Sequence, residues 1–395
     1  MNIMELIDIE KITKWRRHLH KFPEVSFNER ETSKYIAAEI AANFPDVQIL
    51  RWGDQNVADK LPNYGLVGVL KGGKPGKTLA LRADFDALPM NEETDLEFKS
   101  VYEGAAHTCG HDCHAAMLLG AMDVLYKIRA ELAGTILFVF QHAEEYVPGG
   151  AQAIIDTGVF NDFNVQAFYA SHVFPNTPVN TIKFSPGSAT ANTDSFKIEI
   201  QGKGGHGSMP EKCIDSVVIG TEVVQALNFI VSRYISAFDP AVVTVGKFSA
   251  GTTFNIIPDT AEILGTVRSM KPEVRDLIEQ KIHELATDIC KAYDATCNVT
   301  YKRGYASVVS DADLCTLFNN IVAETLPGIK VVDADPLMVG EDFSAYQAIA
   351  PTLFVSLGAM PKCGEYYINH HPKFMVNEDV LPLGTALYVA FATKA

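Results

Sequence analysis

The pattern of apolar and polar positions predicts alternating helices and short strands in the first part of the chain. Residues 12–44 carry apolar side chains at helical spacing, interrupted near Pro23, and residues 115–128 repeat that spacing. Three short apolar runs have the length of strands: 78–82, 135–140 and 167–171. The second run is continuously apolar, which is typical of a strand buried on both faces of a sheet. This pattern predicts an α/β fold.

Each of these three strands runs into ionisable side chains. Asp84 and Asp86 follow the first strand, Glu144 and Glu145 the second, and His172 the third. Open α/β sheets place their functional sites at the carboxyl ends of the strands. We therefore expect one site that collects side chains from all three.

The middle of the chain has a different order of elements. It predicts, in sequence, a strand at 195–201, a helix at 215–234, strands at 241–248 and 261–267, a helix at 272–293 and a strand at 296–300. This is the βαββαβ order of ferredoxin-like domains. A helix at 311–325 and a strand at 351–357 then return to the first pattern, so residues 184–301 are predicted to form a domain inserted into a larger one made of residues 1–183 and 302–395.

Composition limits the classes of function. A chain of 395 residues is long enough for two domains, and 47% apolar with 21% charged residues is ordinary for a globular protein. A net charge of −15 argues against a nucleic-acid partner, which needs a basic surface. The first residues resemble neither a signal peptide nor a membrane span, so we expect a cytoplasmic protein without a membrane partner. Seven scattered cysteines do not form the pattern of a disulfide framework.

A dense group of chemically active side chains lies just before the helix at 115–128. Within eight positions the chain places His107, Cys109, His111, Asp112, Cys113 and His114. Burying such groups costs free energy unless they are paired or bind a metal, so the group predicts a metal site. A nucleophilic cysteine is the rival interpretation of Cys109 or Cys113. Individually, His107, Cys113 and His114 are more typical of packing or hydrogen-bonding groups.

The adjacent carboxylates Glu144 and Glu145 suit metal-assisted hydrolysis. In a regular strand they would face opposite ways, but at a strand end both can reach one site. One could bind a metal while the other takes a proton from a metal-activated water. His172 and either His370 or His371 could complete the set of ligands. The glycine-rich segment 202–207 lacks the Gly-Lys-Ser/Thr ending of a phosphate loop.

Together these motifs resemble those of the M20 metallopeptidases, and within them the amidohydrolase branch that acts on N-acyl amino acids, hippurate and auxin conjugates. The resemblance covers nearly the whole chain. It rests on Arg16, Arg17, Leu19, His20, Pro23, Glu24 and Ser26, on the segments 81–89, 109–112 and 143–145, on His172 and Val173, and on the segments 202–206, 255–259, 340–343 and 370–372.

The resemblance implies a mixed central sheet in the larger, catalytic domain, a lid and dimerisation role for the inserted domain, and a site for two divalent metal ions. The implied metal ligands are Cys109 in the bridging position, His111, Glu145, His172 and His370, the last chosen over His371 by its spacing to Pro372. Glu144 matches the general base. His206 matches a histidine that stabilises the oxyanion in the partner's active site of related dimers, which implies a homodimer. Asn255 and Arg268 match segments that contact a substrate carboxylate. Thiolate favours zinc, but the resemblance favours manganese, with zinc, cobalt and nickel as alternatives.

The expected function is hydrolysis of the amide bond of N-acyl amino acids or related conjugates by metal-activated water. A dipeptidase or aminopeptidase is the alternative within hydrolases, and a catalytically silent metal-binding scaffold is the alternative outside them. The chain departs from the family pattern at His142, where proline is common, at residues 146–148, which look one residue longer, and at Cys113, where a small residue is frequent. These departures lie beside the site and bear on substrate preference.

Overall fold

The computed structural model describes residues 2–51 and 61–395, which separate into two compact units. The first unit runs to Ala189 and includes Val308–Asp335 and Asp342–Ala395. The second unit consists of Thr190–Ser307 and Pro336–Glu341. Its main segment thus begins and ends at Thr190 and Ser307, where the sequence pattern placed the boundaries at 184 and 301.

The helices and strands follow the predicted order with somewhat different ends. The α-helices are α1 (Ile9–Lys21), α2 (Arg30–Asn43), α3 (His111–Lys127), α4 (Ala151–Ile155), α5 (Ser216–Tyr234), α6 (Pro272–Ala292), α7 (Ala312–Thr325) and α8 (Val380–Lys394). Short 3-10 helices span Ile3–Leu6, Val159–Asp162, Pro210–Lys212 and Asp342–Ala348. The strands are β1 (Gln48–Arg51), β2 (Leu66–Lys71), β3 (Lys74–Asp84), β4 (Ala133–Gln141), β5 (Val165–Phe174), β6 (Thr181–Lys183), β7 (Gly187–Ser188), β8 (Asn192–Gln201), β9 (Gly205–His206), β10 (Ala241–Ala250), β11 (Ile256–Ile257), β12 (Thr260–Ser269), β13 (Thr296–Arg303), β14 (Val309–Ser310), β15 (Lys330–Val332) and β16 (Thr352–Gly358).

The first unit is built on a mixed sheet, as expected. Its strand order is β1-β2-β4-β3-β5-β16-β14-β7, with β6 and β15 attached beside β16. The central strands β4, β3, β5 and β16 are parallel, whereas β1, β2 and β7 join antiparallel. The carboxyl ends of the parallel strands therefore meet at one edge, which confirms the predicted convergence of β3, β4 and β5.

Apolar side chains cover both faces of this sheet. Along β4, Phe138 and Phe140 belong to the core cluster that includes α1, α3 and α8, while Leu137 and Val139 belong to the cluster that includes α4. The alternation places a hydrophobic layer on each side, which is the double burial predicted from the continuous apolar run. No helix in the described part of the chain is both long and apolar enough to cross a membrane.

The second unit has the predicted βαββαβ order. Its four-stranded antiparallel sheet has the order β10-β12-β8-β13, and α5 and α6 pack on it and on each other around one apolar core. The alternating burial along β8 reflects a sheet with one covered face and one solvated face.

Two predicted boundaries near the site were wrong. Helix α3 begins at His111 rather than 115, because Gly110 adopts a left-handed φ of 96° and lets the chain turn directly into the helix. Strand β5 continues through His172 to Phe174, because Val173 and Phe174 still pair with Leu357 and Gly358 of β16. His172 is thus a strand residue, and four residues of the cluster lie in the first turn of a helix.

Candidate metal centre

The carboxyl edge of the sheet and the start of α3 bring the polar residues of the first unit together. Gly110 packs so closely beneath this turn that a Cβ there would meet Val173 Cγ2 at 2.3 Å. Only glycine accepts both this approach and the positive φ. The turn therefore places Cys109 and His111 against β5, which carries His172.

All five residues predicted as metal ligands lie in this place. Their donor atoms fall into three overlapping groups, within each of which the atoms lie no more than 4.8 Å apart: Cys109 with His111 and His172, Cys109 with Glu145 and His370, and His111 with Glu144 and Glu145. The Cys109 sulfur lies 3.3 Å from His172 Nε2, and His370 Nε2 lies 3.2 Å from Glu145 Oε1. Cys109, His111 and Glu145 each belong to two of these three groups, so the groups form one continuous cluster.

The Nδ1 hydrogen bonds of His111 and His172 orient both rings so that Nε2 faces the cluster of candidate ligands. His111 donates from Nδ1 to Asp86 Oδ1 at 3.1 Å, and His172 donates from Nδ1 to the Val173 carbonyl at 3.0 Å. His111 Nε2 is buried and finds no hydrogen-bond partner among the described residues. A buried ring nitrogen left in this way fits a bound cation, because histidine ligands usually donate their other N–H to a carboxylate or carbonyl.

The electrostatics of the site also favour a cation. Burial alone would lower the pKa of His111, but the carboxylates of Asp84, Asp86 and Glu145 raise it to about 10. Burial, followed by the charges of Glu145 and Glu144, raises the pKa of the Cys109 thiol well above its usual range. The site is therefore strongly negative and short of positive charge. A divalent ion would supply that charge and deprotonate the thiol.

His114 lies in the same cluster, but both of its ring nitrogens form hydrogen bonds within the protein. Its Nδ1–H donates to Asp84 Oδ1 at 2.6 Å, and its Nε2 accepts the Val173 N–H at 3.0 Å. Both ring nitrogens are used, so His114 offers no lone pair to a metal, although it lies close to Asp84 and His111. Its role is to hold β5 beside the helix start.

The two histidines at 370 and 371 have different surroundings. His370, with a side chain 51% exposed, reaches Glu145. His371 stacks on Tyr367 with ring centroids 4.4 Å apart and accepts the Lys373 N–H through Nδ1. Asn369 fastens this loop to the site by donating to the carbonyls of Cys109 and Val173. The geometry thus favours His370 as the ligand.

Glu144 and Glu145 approach the same imidazole although they are adjacent in sequence. Glu144 Oε2 and Glu145 Oε1 lie 3.9 and 3.8 Å from His111 Nε2. The turn before them allows this, because Ala143 has a φ of 50° and breaks the alternation of the strand. A non-glycine residue in that conformation costs about 1 kcal/mol or more, which the surrounding structure must offset.

Buried ion pairs support the site from behind. Asp112 accepts from Arg16 Nε at 2.7 Å and lies 2.9 Å from His20 Nδ1. Arg82 bridges Asp84 and Asp342, and Gln141 donates to Asp342. Asp112, a member of the sequence cluster, therefore belongs to these supporting ion pairs.

The remaining predicted site residues lie in the second unit. His206 pairs with Ile256 across the β9-β11 ladder, and the Asn255 carbonyl accepts the Gly207 N–H at 2.9 Å. The exposed His206 imidazole accepts the Ser208 N–H at Nδ1, so the neutral ring carries its proton on Nε2. Arg268, on β12, donates to Thr266 Oγ1 at 2.6 Å and to the Val267 carbonyl at 2.8 Å.

Several residues that shape the site received no role from the sequence pattern. The sequence pattern placed Asp84 and Asp86 at the site without assigning them a role, and each accepts a hydrogen bond from a histidine. Their spacing of two at the end of a buried strand was a usable signal, because it places both carboxylates on one side. Glu29 accepts the Ala143 N–H and Asn369 donates to the carbonyls of Cys109 and Val173, and the sequence pattern gave neither residue a role.

Imidazole, thiol and carboxylate donors gathered at the carboxyl edge of a mixed sheet are typical of metal-dependent hydrolases. The sequence profile of peptidase family M20/M25/M40 matches residues 80–394. The thermostable carboxypeptidase 1 of Saccharolobus solfataricus is 38% identical over an alignment of 404 positions, which covers 100% of this chain and 99% of the relative. The N-acetylcysteine deacetylase of Bacillus subtilis is 35% identical over 386 residues, covering 97% and 96%.

A solved structure extends the similarity to three dimensions. The Bacillus subtilis YXEP protein, described as a dinuclear metal-binding peptidase of the M20 family, superposes with a TM-score of 0.83 at 32% identity and covers 98% of this chain and 97% of its own. This chain belongs to peptidase family M20/M25/M40, as its motifs led us to expect. The protein is accordingly a hydrolase that acts on amide bonds.

Proposed function

We propose that this protein is a metal-dependent amidohydrolase that cleaves the amide bond of N-acyl amino acids or related conjugates. The observation that carries the proposal is the approach of Glu144 and Glu145 to His111 at 3.9 and 3.8 Å. One carboxylate can act as a ligand while its neighbour remains available for proton transfer beside it. Relatives named N-acetylcysteine deacetylase and N-acyl-L-amino acid amidohydrolase support this reaction class.

Cys109, His111, Glu145, His172 and His370 would hold two divalent ions, which polarise a carbonyl and acidify water when bound. The donor set mixes sulfur, nitrogen and oxygen, so it accepts both zinc and manganese. We propose manganese as the native metal, with zinc, cobalt or nickel as substitutes. Metal analysis of protein purified without chelator checks this assignment.

Glu144 is proposed to move the proton. Its carboxylate takes the proton from the attacking water and delivers it to the amide nitrogen as the carbon–nitrogen bond breaks. Burial beside Cys109 and Glu145 keeps bulk water away from this transfer, because Glu144 is only 7% exposed. Retention of this base argues against a catalytically silent scaffold, which needs ligands but no proton acceptor.

His206 is proposed to donate to the oxyanion that forms on the carbonyl, in the active site of a second subunit. The proton on Nε2 and the exposure of the ring suit that role. Arg268 and Asn255 are proposed to contact the substrate carboxylate. A guanidinium forms strong hydrogen bonds with a carboxylate, which suits Arg268 for the amino-acid end of the substrate.

We further propose a homodimer formed through the second unit. Strand β10 is an edge of the sheet, and α5 presents Val218 and Phe229 at 48% and 55% exposure. An open edge beside exposed apolar side chains is a surface that a second copy could cover. Sedimentation of the parent and of Phe229→Lys tests this. Monomers with full activity at the assay concentration would contradict both the dimer and the role of His206 in trans.

The function is tested with metal-loaded protein on a panel of N-acetyl, N-benzoyl and indoleacetyl amino acids and of free dipeptides. We expect turnover of N-acyl amino acids. Cleavage of free dipeptides alone would favour the dipeptidase or aminopeptidase alternative. Turnover of neither group, with metals bound, would favour the scaffold alternative.

A second candidate function is a carboxypeptidase, because two relatives at 38% and 37% identity carry that name. Both reactions release an amino acid with a free carboxylate and differ in the acyl side of the bond. N-blocked peptides of increasing length separate them. A rate that rises with peptide length indicates a carboxypeptidase, and a rate that is highest for short acyl groups indicates a deacylase.

The proposed location is the cytoplasm. All seven cysteines are free thiols, which agrees with a reducing compartment. Fractionation of cells that express the protein at natural levels checks this location.

A further inference from the structure

Two buried carboxyl groups hold the backbone on either side of Glu144. Glu29 Oε1 accepts the Ala143 N–H at 2.7 Å, and Asp86 Oδ2 accepts the Glu145 N–H at 3.0 Å. Glu29 is 0% and Asp86 1% exposed. The peptide group before Ala143 and the peptide group after Glu144 are thus both held by side chains from outside the turn.

Asp86 accepts hydrogen bonds from more groups of the site than Glu29 does. Asp86 also accepts from His111 and from the Ser26 hydroxyl, so its loss would disturb a ligand candidate directly. The side-chain hydrogen bond of Glu29 to the site goes to Ala143. Glu29 therefore acts on the turn separately from the imidazoles.

The segment that carries Glu29 is itself anchored beside the turn. The Phe27 ring meets the His142 ring edge-on at 5.9 Å, and Ser26 donates to Asp86 at 2.7 Å. Glu29 is also the residue that immediately precedes α2. Its carboxyl group is delivered to Ala143 from a fixed position.

The second oxygen of Glu29 argues against a role in stability alone. Glu29 Oε2 is buried and finds no hydrogen-bond partner among the described residues. Burying a polar atom without a partner is costly, so an apolar side chain would stabilise this position better if packing were its purpose. The carboxyl group also receives backbone hydrogen bonds from its own segment, at Phe27 and Glu29, and the bond from Ala143 to Oε1 is the one that reaches the turn.

We propose that Glu29 is a positioning residue: by holding the Ala143 N–H, it keeps the left-handed turn that aims Glu144 at the site. Ala143, at a φ of 50°, would otherwise relax toward the extended conformation that sends Glu144 away from His111. The inference rests on the proposed role of Glu144 as the base. The geometry of the reaction would then depend on Glu29, which lies more than a hundred residues before Glu144 in the sequence.

Three substitutions of Glu29 distinguish the need for a hydrogen-bond acceptor at the Ala143 N–H from the need for an acidic group. Burial and the neighbouring Asp86 charge raise the pKa of Glu29 well above its usual range. Glu29→Gln keeps the length of the side chain and an oxygen for the Ala143 N–H, without a titratable group. Glu29→Asp keeps the acid but withdraws it by one methylene, and Glu29→Leu removes the acceptor.

We expect Glu29→Asp and Glu29→Leu to lower kcat by about 10- to 100-fold with KM nearly unchanged, because small misplacements of a catalytic group cost that much. Glu29→Gln should stay within about threefold of the parent. Metal content, measured by elemental analysis, should equal that of the parent in all three. Glu29→Asp decides the question if Glu29→Leu fails to fold.

Glu24→Leu is the matched control. Glu24 also accepts a backbone N–H at the start of α2, from Thr32 at 2.7 Å, but it does not hold the Ala143 turn. It should lower thermal stability without lowering kcat. Parent-like kcat in both Glu29→Asp and Glu29→Leu, failure of Glu29→Gln to retain activity, or an equal loss of kcat in Glu24→Leu would overturn the inference.

Glu144→Gln distinguishes this inference from the proposed function. If Glu144→Gln is inactive while Glu29→Asp and Glu29→Leu turn over normally, only the positioning role fails. If Glu144→Gln itself turns over normally, the proposed base fails and Glu29 has nothing to position.

Discussion

His111 and Asp86 are joined by a hydrogen bond of 3.1 Å from the imidazole Nδ1–H to the carboxylate Oδ1. The other oxygen of Asp86 accepts the Glu145 N–H at 3.0 Å. One buried carboxylate therefore orients two ligand candidates, one through its ring and the other through its backbone. This explains how a side chain that need not touch a metal can organise the site.

Asp86→Asn should weaken metal binding by about 10- to 100-fold, because partners that orient histidine ligands contribute that much to affinity. Competition with a chromophoric chelator measures the affinity. Asp123→Asn is the control, since Asp123 lies on the same helix as His111 but pairs with Lys11 and Lys127. An equal effect of both substitutions would contradict the orienting role.

His114→Ala should leave the metal content of the parent unchanged while lowering the free energy of unfolding by about 3 kcal/mol. Both nitrogens of His114 are engaged, with Asp84 and with the Val173 N–H, so its removal leaves buried groups unpaired. Elemental analysis and denaturant unfolding of the metal-free protein test the two halves. Loss of bound metal without loss of stability would identify His114 as a ligand instead.

Arg82→Met should destabilise the protein by about 3 to 5 kcal/mol, because it leaves the buried carboxylates of Asp84 and Asp342 uncompensated. Arg129→Met removes an ion pair with Asp46 whose side chains are 39% and 60% exposed, and should cost less than about 1 kcal/mol. Denaturant titrations of both variants make the comparison. Similar losses would show that the network of Arg82 contributes no more than a surface pair.

Acid should destabilise the metal-free protein partly through His142. Burial lowers the pKa of His142 to about 4, below the value of about 6.5 for an unfolded chain. The unfolded state then binds more protons between these values, so stability is full above pH 6.5 and falls as the pH drops toward 4, by about 3 kcal/mol in total.

His142→Phe keeps an aromatic ring against Phe27 and Tyr64 but cannot titrate. Unfolding measured across that pH window should show a smaller acid loss in this variant than in the parent. His283→Gln, at an exposed position of α6, should behave like the parent. An unchanged acid loss in His142→Phe would mean that His142 is not the group responsible.

The sequence predicted what depends on local patterns. The continuous apolar run of β4 indicated a strand buried on both faces, and the βαββαβ order of the middle segment indicated the second unit. The convergence of Asp84, Glu145 and His172 followed from the parallel order of their strands. His172 was misplaced at a strand end because its pairing depends on β16, which is remote in sequence.

Other features depend on tertiary contacts that no local pattern carries. The turn at Ala143 is held by Glu29, which precedes it by more than a hundred residues. His111 and His114 each donate from Nδ1 to an aspartate, but His114 Nε2 accepts the Val173 N–H whereas His111 Nε2 has no hydrogen-bond partner among the described residues. Those partners became visible only when the strands and the start of α3 were placed together.

The most direct test of the account is the activity of metal-loaded Glu144→Gln on N-acyl amino acids. Because Glu144 is assigned to proton transfer and the ligands are other residues, kcat should fall by about 100- to 10,000-fold while metal content stays at the parent value. Turnover equal to the parent with metals bound would contradict the account.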